Sequence, residues 1–211
     1  MKYILLTLGI LWMHLVVAQK SFLNWPPRNQ YSSIVEQYCR FSPFTNNPDS
    51  FFVKLFHDED FVLDTLIPHK DTVNFYMRGY YKTFNPFLLN AERVEVYLFE
   101  SDVMRDNKKS GKKVLTYNII GIIGTEPGDF LTARDEEKRI HKKMKKAIGD
   151  YTTRKTKAKG NTYVQHLYRI GTYVPFYTKY GVWYKTGVNN CVAFSINLAS
   201  LEEIKITEAR W

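Results

Sequence analysis

Few residues in this chain are placed to do chemistry. His57 is followed by Asp58, Glu59 and Asp60, a donor set that suits a hard or borderline metal ion. The same run also suits a solvated turn between two strands. Cys191 follows Asn190, with His166 upstream, the residue types of a thiol nucleophile and its base. In an oxidising compartment the same cysteine is expected in a disulfide instead. His141 sits among Lys138, Arg139, Lys142 and Lys143 and reads as an exposed helix residue rather than a base. There is no Gly-x-Ser-x-Gly, no phosphate-cradling glycine loop and no zinc-protease helix motif. No catalytic set, cofactor or metal site is assigned, and the chain reads as a non-enzyme.

Charge carries the functional signal. Residues 101–160 hold 16 Lys/Arg and 8 Asp/Glu, a net of +8. The rest of the chain after residue 18 holds 13 of each, so the whole positive balance lies in one internal segment. Within it, Lys138, Arg139, Lys142, Lys143, Lys145 and Lys146 surround an apolar stripe of Ile140, Met144 and Ile148. Arg154, Lys155, Lys157 and Lys159 extend the patch. Such a surface suits anionic lipid headgroups, sulfated glycans or an acidic receptor. Nucleic acid fits the charge but not the compartment. A basic helix face kept only for solubility is the competing reading.

The compartment is read from residues 1–18, MKYILLTLGILWMHLVVA. Lys2, a mostly apolar run and the small residues before Gln19 form the pattern of a secretory signal peptide. The run is shorter than the ~20 residues a membrane span needs, and His14 interrupts it. No later apolar stretch is long enough to span, so a secreted, extracellular protein without a transmembrane segment is expected. The two cysteines, Cys39 and Cys191, are expected to pair in that environment, with two buried free thiols as the alternative. No Asn-x-Ser/Thr sequon occurs.

The elements that would position these residues are mainly strands. Residues 19–37, with Trp25-Pro26-Pro27, read as an irregular N-terminal arm, and 38–207 as a single β-rich domain with a basic insertion at 101–160. Strands are expected at Phe51–Phe56, Phe61–Ile67, Val73–Met77 and Val94–Phe99. Val114–Ile123 should form a hairpin with 94–99, and its Ile119–Ile123 run must be buried or paired to avoid aggregation. One helix is expected at about 133–149, capped by Thr132 with Asp135 three residues on. Tyr151–Gly160 reads as a mobile basic loop. Further strands are expected at 162–170, 172–178, 181–185, 191–198 and 201–206. An antiparallel β-sandwich or barrel with one inserted basic amphipathic helix fits this pattern.

Three pieces set end to end resemble the nematode transthyretin-like family of secreted β-sandwich proteins. The first runs from Cys39 through Pro43 to Val53-Lys54-Leu55-Phe56 and the acidic turn His57–Asp60. The second is Asp71 to Gly79, with Phe75 inside it, followed by Pro86. The third is Phe194-Ser195-Ile196-Asn197-Leu198. The chain lacks the cysteines that the family places after its 94–99 strand, and its basic segment is longer than the corresponding connection. The resemblance implies a transthyretin-like sandwich and a secreted binding or signalling module. The enzymatic relatives end in Tyr-Arg-Gly-Ser; this chain ends Glu208-Ala209-Arg210-Trp211, so their hydrolase activity is not implied.

The leading expectation is a secreted, non-enzymatic protein that contacts an anionic extracellular partner through the basic helix. The alternative is a carrier of a small apolar ligand in a β-barrel-like interior lined by its many Tyr and Phe residues.

Overall fold

The computed structural model describes residues 31–43, 48–67, 74–105, 108–158, 161–170, 173–183 and 188–200. The expectations for residues 1–18, most of the arm, Lys159 and 201–206 lie outside these residues. The described chain is mainly β. In chain order its elements are α1 (Ser32–Cys39), α2 (Pro48–Phe56), β1 (Phe61–Ile67), β2 (Tyr76–Tyr81), β3 (Arg93–Arg105), β4 (Lys108–Gly124), α3 (Pro127–Ile148), β5 (Tyr151–Ala158), β6 (Asn161–Ile170), β7 (Tyr173–Trp183) and β8 (Asn189–Ser200).

The strands form one antiparallel sheet in the order β1-β2-β3-β4-β8-β7-β6-β5. The ladder is two four-stranded meanders joined where β4 pairs with β8, each meander preceded by helix. Its hydrogen bonds do not divide into the two sheets expected of a sandwich. Strand alternation gives the sheet two faces. Met77, Val96, Leu98, Tyr117, Ile119, Phe176, Phe194 and Ile196 are buried on the face that carries α1 and α3. Tyr38 of α1 packs on Phe194 at a ring separation of 5.0 Å, and Tyr31 on Phe176 at 5.0 Å. Ile140 and Met144 of the stripe read from the sequence are fully buried, with Ala133 two turns earlier, and Ile148 at the helix end is half-buried, so the stripe lies on the helix's inner face. On the opposite face Tyr97, Ile120, Cys191 and Ala193 form a separate buried cluster, with Tyr76 and Phe99 against it.

The Ile119–Ile123 run is the middle of β4, paired on one side with β3 and on the other with β8. Ile119, Ile120, Ile122 and Ile123 are all buried. A central strand with both faces covered can be continuously apolar. The expected hairpin between 94–99 and 114–123 is present, with Val94 opposite Gly121 and Phe99 opposite Thr116.

Several expectations are corrected. Phe51–Phe56 is helix, not strand: Phe51 and Leu55, one turn apart, are buried while Val53 and Lys54 are exposed. The V-K-L-aromatic piece of the family resemblance therefore lies on a helix. The end of the arm, Ser32–Cys39, is also helical, with Val35, Tyr38 and Cys39 facing the core. Helix α3 starts at Pro127 rather than 133. Glu126 is its N-cap, and the Glu126 N–H donates to Asp129 Oδ2 at 2.9 Å. Proline at N1 is pre-set for a helix start, and Gly128 falls in a first turn, where glycine is tolerated. Gly149, at φ +85°, ends the helix. Tyr151–Ala158 is a strand, not a loop, because it pairs along its length with β6. The described residues of the expected strands 172–178 and 181–185 belong to one strand, β7 (Tyr173–Trp183), which runs through Gly181.

Cys39 and Cys191 are both free and buried, so the expected disulfide is absent. Alternation separates them. Cys39 ends α1 on the helix-bearing face, close to Tyr81 and Tyr117, while Cys191 points into the cluster on the other face. The sheet lies between them.

Candidate anion-binding face

The exposed surface of α3 is basic because its stripe of buried residues leaves the other positions to solvent. The structure divides the basic residues singled out from the sequence into three groups. Lys138, Lys142, Lys145 and Lys146 are exposed. Among them Lys138 has an ion pair with Asp135 at 2.9 Å, an exposed contact of small energetic weight. Lys138 and Lys145 are seven residues apart on one side of the helix, a row about 10 Å long. Lys145 Nζ lies 5.4 Å from the Tyr151 ring centre, over the first residue of β5.

Arg139 and Lys143 form the second group and face α1. Arg139 donates to Glu136 Oε2 at 2.9 Å and to Tyr38 OH at 2.6 Å. Glu136 is buried and also accepts the Leu88 N–H at 3.3 Å. Burial, against which the Arg139 charge works, pushes the Tyr38 hydroxyl up to about 12. Lys143 Nζ donates to Gln37 Oε1 at 2.9 Å. Burial, then the Arg139 charge, pulls the Lys143 ammonium below its ordinary range. These two residues fasten α3 to α1.

The third group is on β5. Lys155 opposes Val164 and Lys157 opposes Thr162, in the same alternation as Tyr151 opposite Tyr168 and Thr153 opposite His166. Those partners face α3, so Lys155 and Lys157 line the same side of the sheet as the helix, and both are exposed. Arg154, opposite Gln165, belongs to the other face. The edge strand thus carries a second row of cations beside the helical one.

Between the two rows lies a polar cluster that no local pattern of residues assembles. Glu137 of α3 is fully buried, and its Oε1 lies 2.7 Å from His166 Nδ1 of β6. Thr178 of β7 donates its hydroxyl to the same oxygen. Tyr168 OH is 3.3 Å from Thr178 Oγ1 and 2.9 Å from His141 Nδ1. The His141 and His166 rings are stacked, with centroids 3.8 Å apart and planes 17° apart. Tyr151 meets His141 edge-on at 4.7 Å. Burial, then the His166 charge, hold the His141 imidazole below its ordinary range, with Lys145 adding to the effect and Glu137 opposing it. His141 is therefore not a freely exposed helix residue. Glu137 and His141 share a helix face at i,i+4, and His166 and Tyr168 share a strand face; only the docking of helix on sheet joins them.

The other candidate sites resolve differently. His57 is exposed, while Asp58 and Asp60 turn inward: Arg40 Nε lies 2.9 Å from Asp58 Oδ2, and Asp60 accepts from Thr83 and Phe84. Among the described residues no group of three or more His, Cys, Asp or Glu side chains is placed to hold a metal ion. Cys191 and His166 lie on opposite faces of the sheet, and burial pushes the Cys191 thiol up to about 12. That pair does not form a nucleophile and base. Among the described residues no helix is long and apolar enough to cross a membrane.

No family model matches this chain, and neither a curated protein nor a solved structure matches it significantly.

Proposed function

We propose that this chain is a secreted, non-enzymatic binding protein whose basic face takes an anionic extracellular partner. A linear sulfated glycan is the favoured partner. The observation that carries the reading is the pair of cation rows: Lys138, Lys142 and Lys145 along α3, and Lys155 and Lys157 along β5, exposed on one side of the sheet. Two rows of ammonium groups match a polyanion chain better than they match a single small anion. The signal-peptide pattern of residues 1–18 supports secretion. The transthyretin-like pieces at 71–79 and 194–198 support an extracellular binding module. The carrier reading has less support, because the interior aromatic rings pack on one another, Phe176 on Phe194 at 6.3 Å and Phe51 on Tyr117 at 5.2 Å.

The test is retention of the purified protein on heparin and on acidic liposomes across a salt series. Heparin retention that falls with salt, and is lost in the triple variant Lys142→Glu, Lys145→Glu, Lys146→Glu with unchanged thermal unfolding, is the expected result. Equal retention of the variant, or none by the parent near physiological salt, would sink the proposal. Preference for the liposomes would move the partner to anionic lipid.

A further inference from the structure

The stacked histidines have a geometry suited to more than core packing. Both Nδ1 atoms face the buried network of Tyr168, Thr178 and Glu137. The two nitrogens of an imidazole point to opposite sides of the ring, so with Nδ1 engaged each Nε2 turns away from that network. Neither Nε2 has a hydrogen-bond partner among the described residues. Both rings lie beside Tyr151, against which Lys145 Nζ packs, and both histidines keep partial exposure.

The charge balance of the cluster is uneven. Glu137 is the one carboxylate in this cluster and touches His166 directly. That charge can neutralise one imidazolium. A second imidazolium, stacked 3.8 Å away, has no carboxylate of its own. The groups facing His141 are Glu137 and Lys145 on α3, Tyr151 on β5, and His166 and Tyr168 on β6. From β7 the cluster receives Thr178, which does not titrate, and Tyr180, which lies within the field of Glu137. An anion bound beside the pair would supply the countercharge that a second imidazolium lacks here.

We propose that the His141–His166 pair is a subsite for one sulfate-type oxyanion, held by the two Nε2–H groups with Lys145 beside them, and that occupying it loads a proton onto His141. The proton comes from solvent and converts neutral His141 to imidazolium. Its Nδ1–H then donates to Tyr168 OH, the Tyr168 hydroxyl to Thr178 Oγ1, and the Thr178 hydroxyl to Glu137, so every proton in the chain has an acceptor. The bound anion balances the second positive charge. This inference rests on the anionic-partner reading and adds to it a dependence on pH: binding tightens on acidification.

The experiment follows the imidazole resonances of the full-length secreted chain by NMR between about pH 5 and 8. The probes are inorganic sulfate and a sulfated heparin fragment, with chloride at matched ionic strength as the reference. Sulfate is expected to raise the His141 midpoint, and chloride to leave it in place. Calorimetry of the heparin fragment in two buffers of unlike ionisation enthalpy should show uptake of about one proton, with affinity falling by up to about tenfold for each pH unit above the His141 midpoint. His141→Gln should keep salt-sensitive binding and lose the uptake. A His141 midpoint unmoved by sulfate overturns the subsite, as does proton uptake that survives in His141→Gln. If that variant does not fold, the sulfate titration of the unaltered chain decides. Salt-sensitive heparin binding without a histidine response leaves the anionic-partner reading standing and removes the subsite. A sulfate response without heparin binding does the reverse.

Discussion

Arg139 on α3 and Tyr38 on α1, 101 residues apart in the chain, share a hydrogen bond of 2.6 Å. The same guanidinium covers the buried Glu136 carboxylate. A residue that reads as part of a basic binding surface is thereby a strut between two helices. Arg139→Ala leaves Glu136 buried without its cation, which should cost about 2–3 kcal/mol, a value below that of a fully buried pair because Arg139 keeps partial solvent contact. Lys142→Ala, on the exposed side, should change stability by less than about 0.5 kcal/mol. Urea unfolding of the two variants separates the roles, and equal midpoints would refute the division.

The thiols of Cys39 and Cys191 should be silent in the folded protein. Both are buried, and burial pushes the Cys39 thiol well above its usual range, with the Glu36 charge adding to it. A thiol reagent should find no reactive group under native conditions and two after denaturation without reductant. No thiol in the denatured, unreduced protein would mean that the pair is bonded.

Asp60 should make the fold acid-sensitive. Burial alone would raise its carboxyl, but the Thr83 hydroxyl, the Phe84 and Thr83 amides and the Arg40 charge together hold it below its ordinary value. A depressed folded value means that the stabilisation is complete above the unfolded value of about 3.9 and is lost as pH falls through the folded one. Unfolding midpoints should therefore drop below about pH 4, and Asp60→Asn should flatten that limb while lowering stability at neutral pH. A parallel pH profile for the variant would contradict the assignment.

Two glycines give opposite outcomes with the same substitution. A Cβ on Gly121, in the middle of β4, would lie 2.4 Å from Cδ2 of the buried Phe87 ring. Gly121→Ala should destabilise by about 1–3 kcal/mol. A Cβ on Gly128, in the first turn of α3, meets nothing within 4 Å. Gly128→Ala should be neutral or stabilise by up to about 1 kcal/mol. Thermal unfolding of both checks the packing of the loop ahead of β3 against the sheet, and matching shifts would count against it.

Residue order alone specifies the β-rich class, the β3–β4 hairpin, the buried isoleucine run and the inner stripe of α3. Each of these depends on a local period or a short-range pairing, which residue order carries directly. Charge clustering at 101–160 was equally legible, since counting needs no geometry. The helices at 32–39 and 48–56 were not, because short segments rich in Phe, Val and Tyr satisfy strand and helix patterns alike until burial selects one. Only the tertiary structure decided which basic side chains are exposed. Placing α1 against α3 captures Arg139 and Lys143, and the register of β5 on β6 turns Lys155 and Lys157 toward the helix and Arg154 away. It also decided that the two cysteines lie on opposite faces of the sheet, because strand alternation fixes the side of Cys191 and helix docking the side of Cys39. The Glu137–His166–His141 cluster joins α3 to β6, and no local pattern in the chain encodes their meeting.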